Sequence, residues 1–352
     1  MTRNRLYWVF GAVILLAFGV WQFGRGEPSP LTSGKPVAYW LDHLPFMGLP
    51  EPLLRDDNPL ALAGPEIIPS LIHEIKNRST IMDFINRYRW RFPRFLQNRL
   101  PKEGPPGYFI RVVAAFRLGM FGPVASNAVP CLVELLRKPA TYSGDRGRII
   151  QALGFIGPNA TKATPLLVES LSDPSEWIRM TAAYSLLQIG VVPPEAAPAL
   201  KRNLRDTGYV AASMAVGILV AEPSVEARAR IESMLTKNLD GNTRAHVAAA
   251  LGLLRQIPDE VTPILRRMLE EDSPSLRQGA AIGLARPHTE NLKRIVAVLV
   301  EGLKEGQFQI RCADALGRIG PEASDAIADL ENAKGYVLRN AAAQARARIL
   351  KE

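Results

Sequence analysis

From about residue 53 onward, apolar positions cluster at helical spacing, and polar turns separate the clusters at a nearly fixed interval. One frame has Pro, an apolar residue two positions later and another six positions later. It occurs at Pro130 with Leu132 and Leu136, Pro165 with Leu167 and Leu171, Pro198 with Leu200 and Leu204, and Pro263 with Leu265 and Leu269. The frame also fits Pro69 with Leu71 and Ile75, Ala229 with Ile231 and Leu235, and Ala297 with Leu299 and Leu303. A short copy starts at Ala328 with Leu330. The marked positions 69, 130, 165, 198, 229, 263, 297 and 328 are separated by 61, 35, 33, 31, 34, 34 and 31 residues. Proline is tolerated in a helix's first turn because its missing N–H would have had no intrahelical partner. Each frame therefore predicts the first helix of a pair, and the constant interval predicts a stacked array.

A second frame follows each first helix: a polar turn, an arginine, small residues, an apolar run and a Gly or Pro stop. Ile178-Arg179 running to Gly190 and Ile310-Arg311 running to Pro321 are two examples. Arg111, Arg148, Arg277 and Arg339 are read into the same slot, with Ala211 and His246 as substitutes. Alanine pairs such as Ala182-Ala183 and Ala280-Ala281 let neighbouring helices approach closely, and a terminal Gly ends the helix. The expected fold is all-α, a solenoid of about eight helix pairs.

Ahead of the array, Leu6 to Phe23 form eighteen consecutive uncharged positions after Arg3 and Arg5, with Tyr7, Trp8 and Trp21 at the ends. A helix of that length is about 27 Å long, near a bilayer's hydrocarbon thickness. The segment predicts a single-pass transmembrane helix behind which the body is exported. The alternative is a cleaved signal peptide and a secreted body. The expected organisation is an anchor over 1–26, a linker and capping helix over 27–52, and the array over 53–352 with an insertion at 76–107.

These residues resemble HEAT repeats, including the Asp-bearing turns at Asp173 and Asp272 and the Ile/Leu-Arg that opens the second helix. The resemblance covers roughly residues 53 to 350. More narrowly, Gly34 to Leu44 behind an N-terminal span is similar to a group of bacterial membrane-anchored HEAT-repeat proteins, a likeness that implies no assigned activity. In such arrays the slot arginine pairs with the turn Asp and fixes stacking. An aligned row of arginines binding an acidic partner is the functional alternative.

Charge changes the picture in one place. The net charge is +9, and residues 85 to 102 hold Arg87, Arg89, Arg91, Arg94, Arg99 and Lys102 with no acid. Trp90 and Phe92 stand between the arginines, a pattern suited to anionic headgroups, an acidic partner or stacking on single-stranded nucleic acid, or to a solvated helix that packs its rings on the first repeats. The remainder is close to balanced, which makes nucleic acid an improbable partner. Cys131 and Cys312 lie in apolar helical patterns as small core residues. His43, His73, His246 and His288 are scattered without metal-ligand spacing. Gly-rich phosphate loops and nucleophile elbows are missing, so no cofactor is expected. Among HEAT-type enzymes, deoxyhypusine hydroxylases use four His-Glu pairs, whereas this chain has His73-Glu74 alone. Function is thus expected to be non-enzymatic: a tethered scaffold binding a protein along its curved face. A lyase-like HEAT enzyme acting on a bound cofactor or protein is the alternative.

Overall fold

The computed structural model describes residues 31, 32, 34–42, 59–77, 97, 107–137, 143–203, 208–236 and 240–350. These fall into two compact units, one within residues 1–114 and one formed mainly by residues 115–352. Strands β1 (Leu31–Thr32) and β2 (Lys35–Pro36) of the first unit pair antiparallel around Gly34. Helix α1 (Val37–Asp42) follows at once, and Trp40 Nε1 donates to the Thr32 carbonyl at 2.7 Å, fastening helix to hairpin. Helices α2 (Pro59–Leu62), α3 (Ile68–Asn77) and the start of α4 (Gly107–Met120) complete this unit.

Alternating first and second helices build the second unit. After the end of α4 come α5 (Val129–Arg137), α6 (Ser143–Ile156), α7 (Thr164–Ser170), α8 (Glu176–Ile189), α9 (Ala197–Arg202), α10 (Gly208–Ala221) and α11 (Val225–Thr236). Next are α12 (Gly241–Leu251), α13 (Thr262–Met268), α14 (Pro274–Leu284), α15 (Leu292–Lys304), α16 (Gln309–Ile319), α17 (Ile327–Glu331) and α18 (Tyr336–Leu350). Second helices stack on second helices, most closely α6 on α8, α12 on α14 and α16 on α18. Small residues make this approach possible: a Cβ at Gly119 would strike Ala152, and one at Gly279 the backbone of Ala245. The buried Ser185 hydroxyl donates to the Ile150 carbonyl at 3.0 Å, a bond between α8 and α6.

Three second helices end in one sequence, Gly-Pro-x-Ala-x-x-Ala, at Gly122–Ala128, Gly157–Ala163 and Gly320–Ala326. Its glycine has φ of +61°, +74° and +75° in the three copies, a left-handed conformation that stops the α-helix without Cβ strain. Proline then starts a tight 3₁₀ stretch whose two alanines are buried, and the next first helix follows. At two of the three frames that lack proline, Ala229 and Ala297, the helix starts earlier than the frame predicts. Helix α11 begins at Val225, with Ser224 Oγ accepting from the Ala227 N–H at 3.1 Å, and α15 begins at Leu292. Without a proline ring to clash with the preceding turn, the helix extends by about one turn.

The two ends of this unit meet. Gln344 of α18 reaches the last carbonyl of α4, at Met120, and a Cβ on Gly122 would overlap the Gln344 amide. Elsewhere in the unit the tips of second helices are bound in a similar way. Arg318 donates to Ile282 of α14 at 3.0 Å, and Arg286 to Leu254, just past α12, at 2.8 Å. The last carbonyls of a helix have no intrahelical donor, so side chains from elsewhere satisfy them.

One expectation is corrected. The proposed span Leu6–Phe23 lies outside the described residues, and no helix among the described residues is long and apolar enough to cross a membrane. A single-pass membrane protein with an exported body therefore has no support in the structure.

Candidate functional site

The arginines read into one slot from the sequence fall into two sets. Arg179 donates to the carbonyls of Asp173 and Pro174 at 3.1 and 2.9 Å, and Arg277 to those of Glu271 and Asp272 at 3.1 and 2.6 Å. Gln309 makes the same bonds to Leu303 and Lys304. Arg146 and Arg244 reach farther back, to Leu136 and Leu235 at the ends of their own first helices. This set clamps the turn between the two helices of a pair through main-chain carbonyls. The turn carboxylate of Asp173 accepts instead from the Ser175 N–H at 2.9 Å and faces Arg146 at 3.8 Å. Arg111 stands half-buried on α4, and Arg339 half-buried near the start of α18.

Arg148, His246 and Arg311 lie two residues beyond Arg146, Arg244 and Gln309. Two residues turn a helix by about 200°, so they face away from the turns, toward the inner side of the second helices. The Arg148 guanidinium lies over the Phe116 and Trp177 rings at 5.3 and 5.6 Å and donates to Gln151 Oε1 at 3.0 Å. Trp177 reaches this position because residue 147 is glycine; a Cβ there would overlap its ring. Arg311 of α16 lies over Tyr184 of α8 at 4.7 Å and over Phe308 at 5.7 Å. Tyr184 and Arg311 are 127 residues apart, so second helices of distant pairs face one another across the interior. His246 packs on Phe308 at 4.9 Å and donates through Nδ1 to the Asn242 carbonyl at 2.8 Å.

The electrostatics follow from this enclosure. Burial pushes the His246 pKa below its ordinary value, and Arg311 adds to this against the opposing bond to Asn242. Burial lowers Arg148 as well. At Asp314 burial favours the neutral acid, but Arg318 and Arg348 together outweigh it and hold the carboxyl below its usual range. Burial, with Arg318 nearby, brings Arg286 down to about 10. No group of three or more His, Cys, Asp or Glu suited to a metal occurs among the described residues. The segment holding Arg87, Arg89, Trp90, Arg91, Phe92 and Arg94 lies outside the described residues.

Part of the chain matches a known repeat family. Residues 129–218 match the model of HEAT repeats. Among solved structures, the complex of CpcE and CpcF of phycocyanin lyase from Nostoc is 21% identical, with 69% of this chain and 89% of that chain covered and a TM-score of 0.35. Human deoxyhypusine hydroxylase is 20% identical over 82% of this chain and 100% of that chain, with a TM-score of 0.36. Kap121p is 15% identical over 83% of this chain and 38% of that chain, with a TM-score of 0.33. At such scores these likenesses transfer no activity or ligand. No curated protein matches the sequence.

Proposed function

We propose that this protein is a non-enzymatic scaffold that holds a protein partner against the inner face of its second helices. The observation that carries this reading is the partial exposure of large interaction-prone side chains on that face. Trp177, Tyr184, Arg148 and Arg311 are all half-buried and come together through ring contacts of Arg148 on Trp177 and Arg311 on Tyr184. Tryptophan, tyrosine and arginine dominate the energetics of protein interfaces because they combine large contact area with polar handles. HEAT repeats supply the rigid frame on which such a surface is displayed.

The test is affinity capture with the full chain, followed by comparison of Tyr184→Ala with an outward control, Lys162→Ala. A protein retained stoichiometrically by wild type and the control, and lost from Tyr184→Ala, supports the reading. A partner that both variants retain equally would place the interaction elsewhere and overturn it.

A further inference from the structure

A continuous line of contacts runs from α12 through α16 to α8. It starts at Asn242, whose main-chain carbonyl accepts from His246 Nδ1 at 2.8 Å and whose side-chain oxygen accepts from Gln307 Nε2 at 2.6 Å. The His246 ring packs on Phe308 at 4.9 Å, and Phe308, 2% exposed, also lies under Arg311 at 5.7 Å. Arg311 in turn covers Tyr184 of α8 at 4.7 Å. Phe308 thus touches a permanent cation and a titratable ring at once.

This arrangement suits a neutral imidazole and opposes an imidazolium. Phe308 immediately precedes the first turn of α16, where main-chain N–H groups carry positive partial charge. Arg311 adds a full charge from the same helix. Nδ1 already carries the proton donated to Asn242, so a second proton goes to Nε2 and makes the ring a cation. Asp240 attracts that charge, but its carboxylate is engaged by the Thr243 N–H and hydroxyl at 2.8 and 2.7 Å. The other charges nearby are paired or point outward. On α12 itself Arg244 meets Glu271, and on α16 Asp314 meets Arg318. Among the helices packed on α12, α10 contains no acid, lysine, arginine or histidine, and α14 has Arg277 alone, which meets Glu301. Glu226, Arg228, Arg230 and Glu232 of α11 are exposed.

We infer that His246 is a proton-operated clasp on the inner face: neutral, it seats Phe308 and holds Arg311 against Tyr184, and protonated, it repels Arg311 and the start of α16, so that α16 and α8 part. The closed form disfavours the proton, whereas opening returns His246 to ordinary histidine behaviour. Closure is therefore fully favoured above about 6.5 and is lost as pH falls from there through the lowered value of the closed form. The inference rests on the scaffold reading for its consequence, that acid changes a partner's access to this face.

Hydroxyl-radical footprinting of the full chain, read by mass spectrometry, reports the accessibility of Phe308 and Tyr184. Phe308 labelling, normalised to Phe121 buried against Arg117, should rise about tenfold between pH 7.5 and pH 5.5, since one proton changes an equilibrium by at most about tenfold per pH unit. His246→Gln, neutral at both pH values, should label alike at both. In wild type the His246 ring, assigned by NMR through its contact with Phe308, should titrate with a midpoint below about 6.5, so the test survives if the variant fails to fold. Equal Phe308 labelling at the two pH values, the same rise in His246→Gln, or a wild-type midpoint at or above that value overturns the inference. A captured protein that Tyr184→Ala still retains would overturn the scaffold reading and leave these measurements standing.

Discussion

The Asp314 carboxylate accepts from Arg348 at 2.8 Å, bridging α16 to α18, and accepts from Arg318 of its own helix at 2.8 Å. One acid thus holds two cations between the last two second helices. Its folded pKa is lowered, so the unfolded chain binds the proton more tightly. The contribution of Asp314 to stability is therefore present above its unfolded value, about 3.9, and is lost as pH falls through the folded value. Urea unfolding from pH 7 to pH 3 should show a steeper loss of stability for wild type than for Asp314→Asn. Parallel curves would show that the triad is energetically silent.

Removing the Gln344 amide should cost about 1 kcal/mol, the usual worth of a hydrogen bond, and leave the Met120 carbonyl without this donor. Gly122→Ala should cost more than Gln344→Ala, because it adds a Cβ at positive φ that collides with the Gln344 amide. Urea midpoints of the two variants, compared with wild type, check both the magnitude and the order.

Gly147→Ala should displace Trp177 from Arg148 and destabilise the fold by about 1 to 3 kcal/mol, as overpacking does. Urea unfolding of the variant beside wild type checks the magnitude. Unchanged stability would mean that the ring does not occupy that site in solution.

Burial pushes the Cys312 thiol up to about 12, and Cys131 is buried as well. Neither should react with a disulfide reagent at pH 8 in the folded protein, and both should react in urea. Rapid labelling of either thiol under native conditions would contradict the packing of α5 or α16.

Much of the array was legible because proline and glycine act through the backbone. Pro130, Pro165, Pro198 and Pro263 all fall at the second residue of a helix, and Gly157, Gly190 and Gly320 all stand where one stops. The site was legible only in part. Counting forward from the turn merged Arg148 and Arg311 with Arg179, because the turns differ in length. Counting back from the glycine stop separates them: Arg146, Arg179 and Gln309 each lie eleven residues before Gly157, Gly190 and Gly320. The inner face stayed hidden for another reason. Contacts such as Arg311 with Tyr184 depend on how the whole unit curves, and that curvature sums small rotations between repeats which no local pattern records.

Open repeat arrays gain and lose units freely over evolution and in the laboratory, since each unit touches only its neighbours. The bond from Gln344 to Met120 adds a contact here that depends on the number of units between its partners. Deleting or duplicating one unit of about 33 residues would leave every local interface intact and still prevent the ends from meeting. The number of helix pairs in the second unit therefore decides whether its first and last second helices can share this bond.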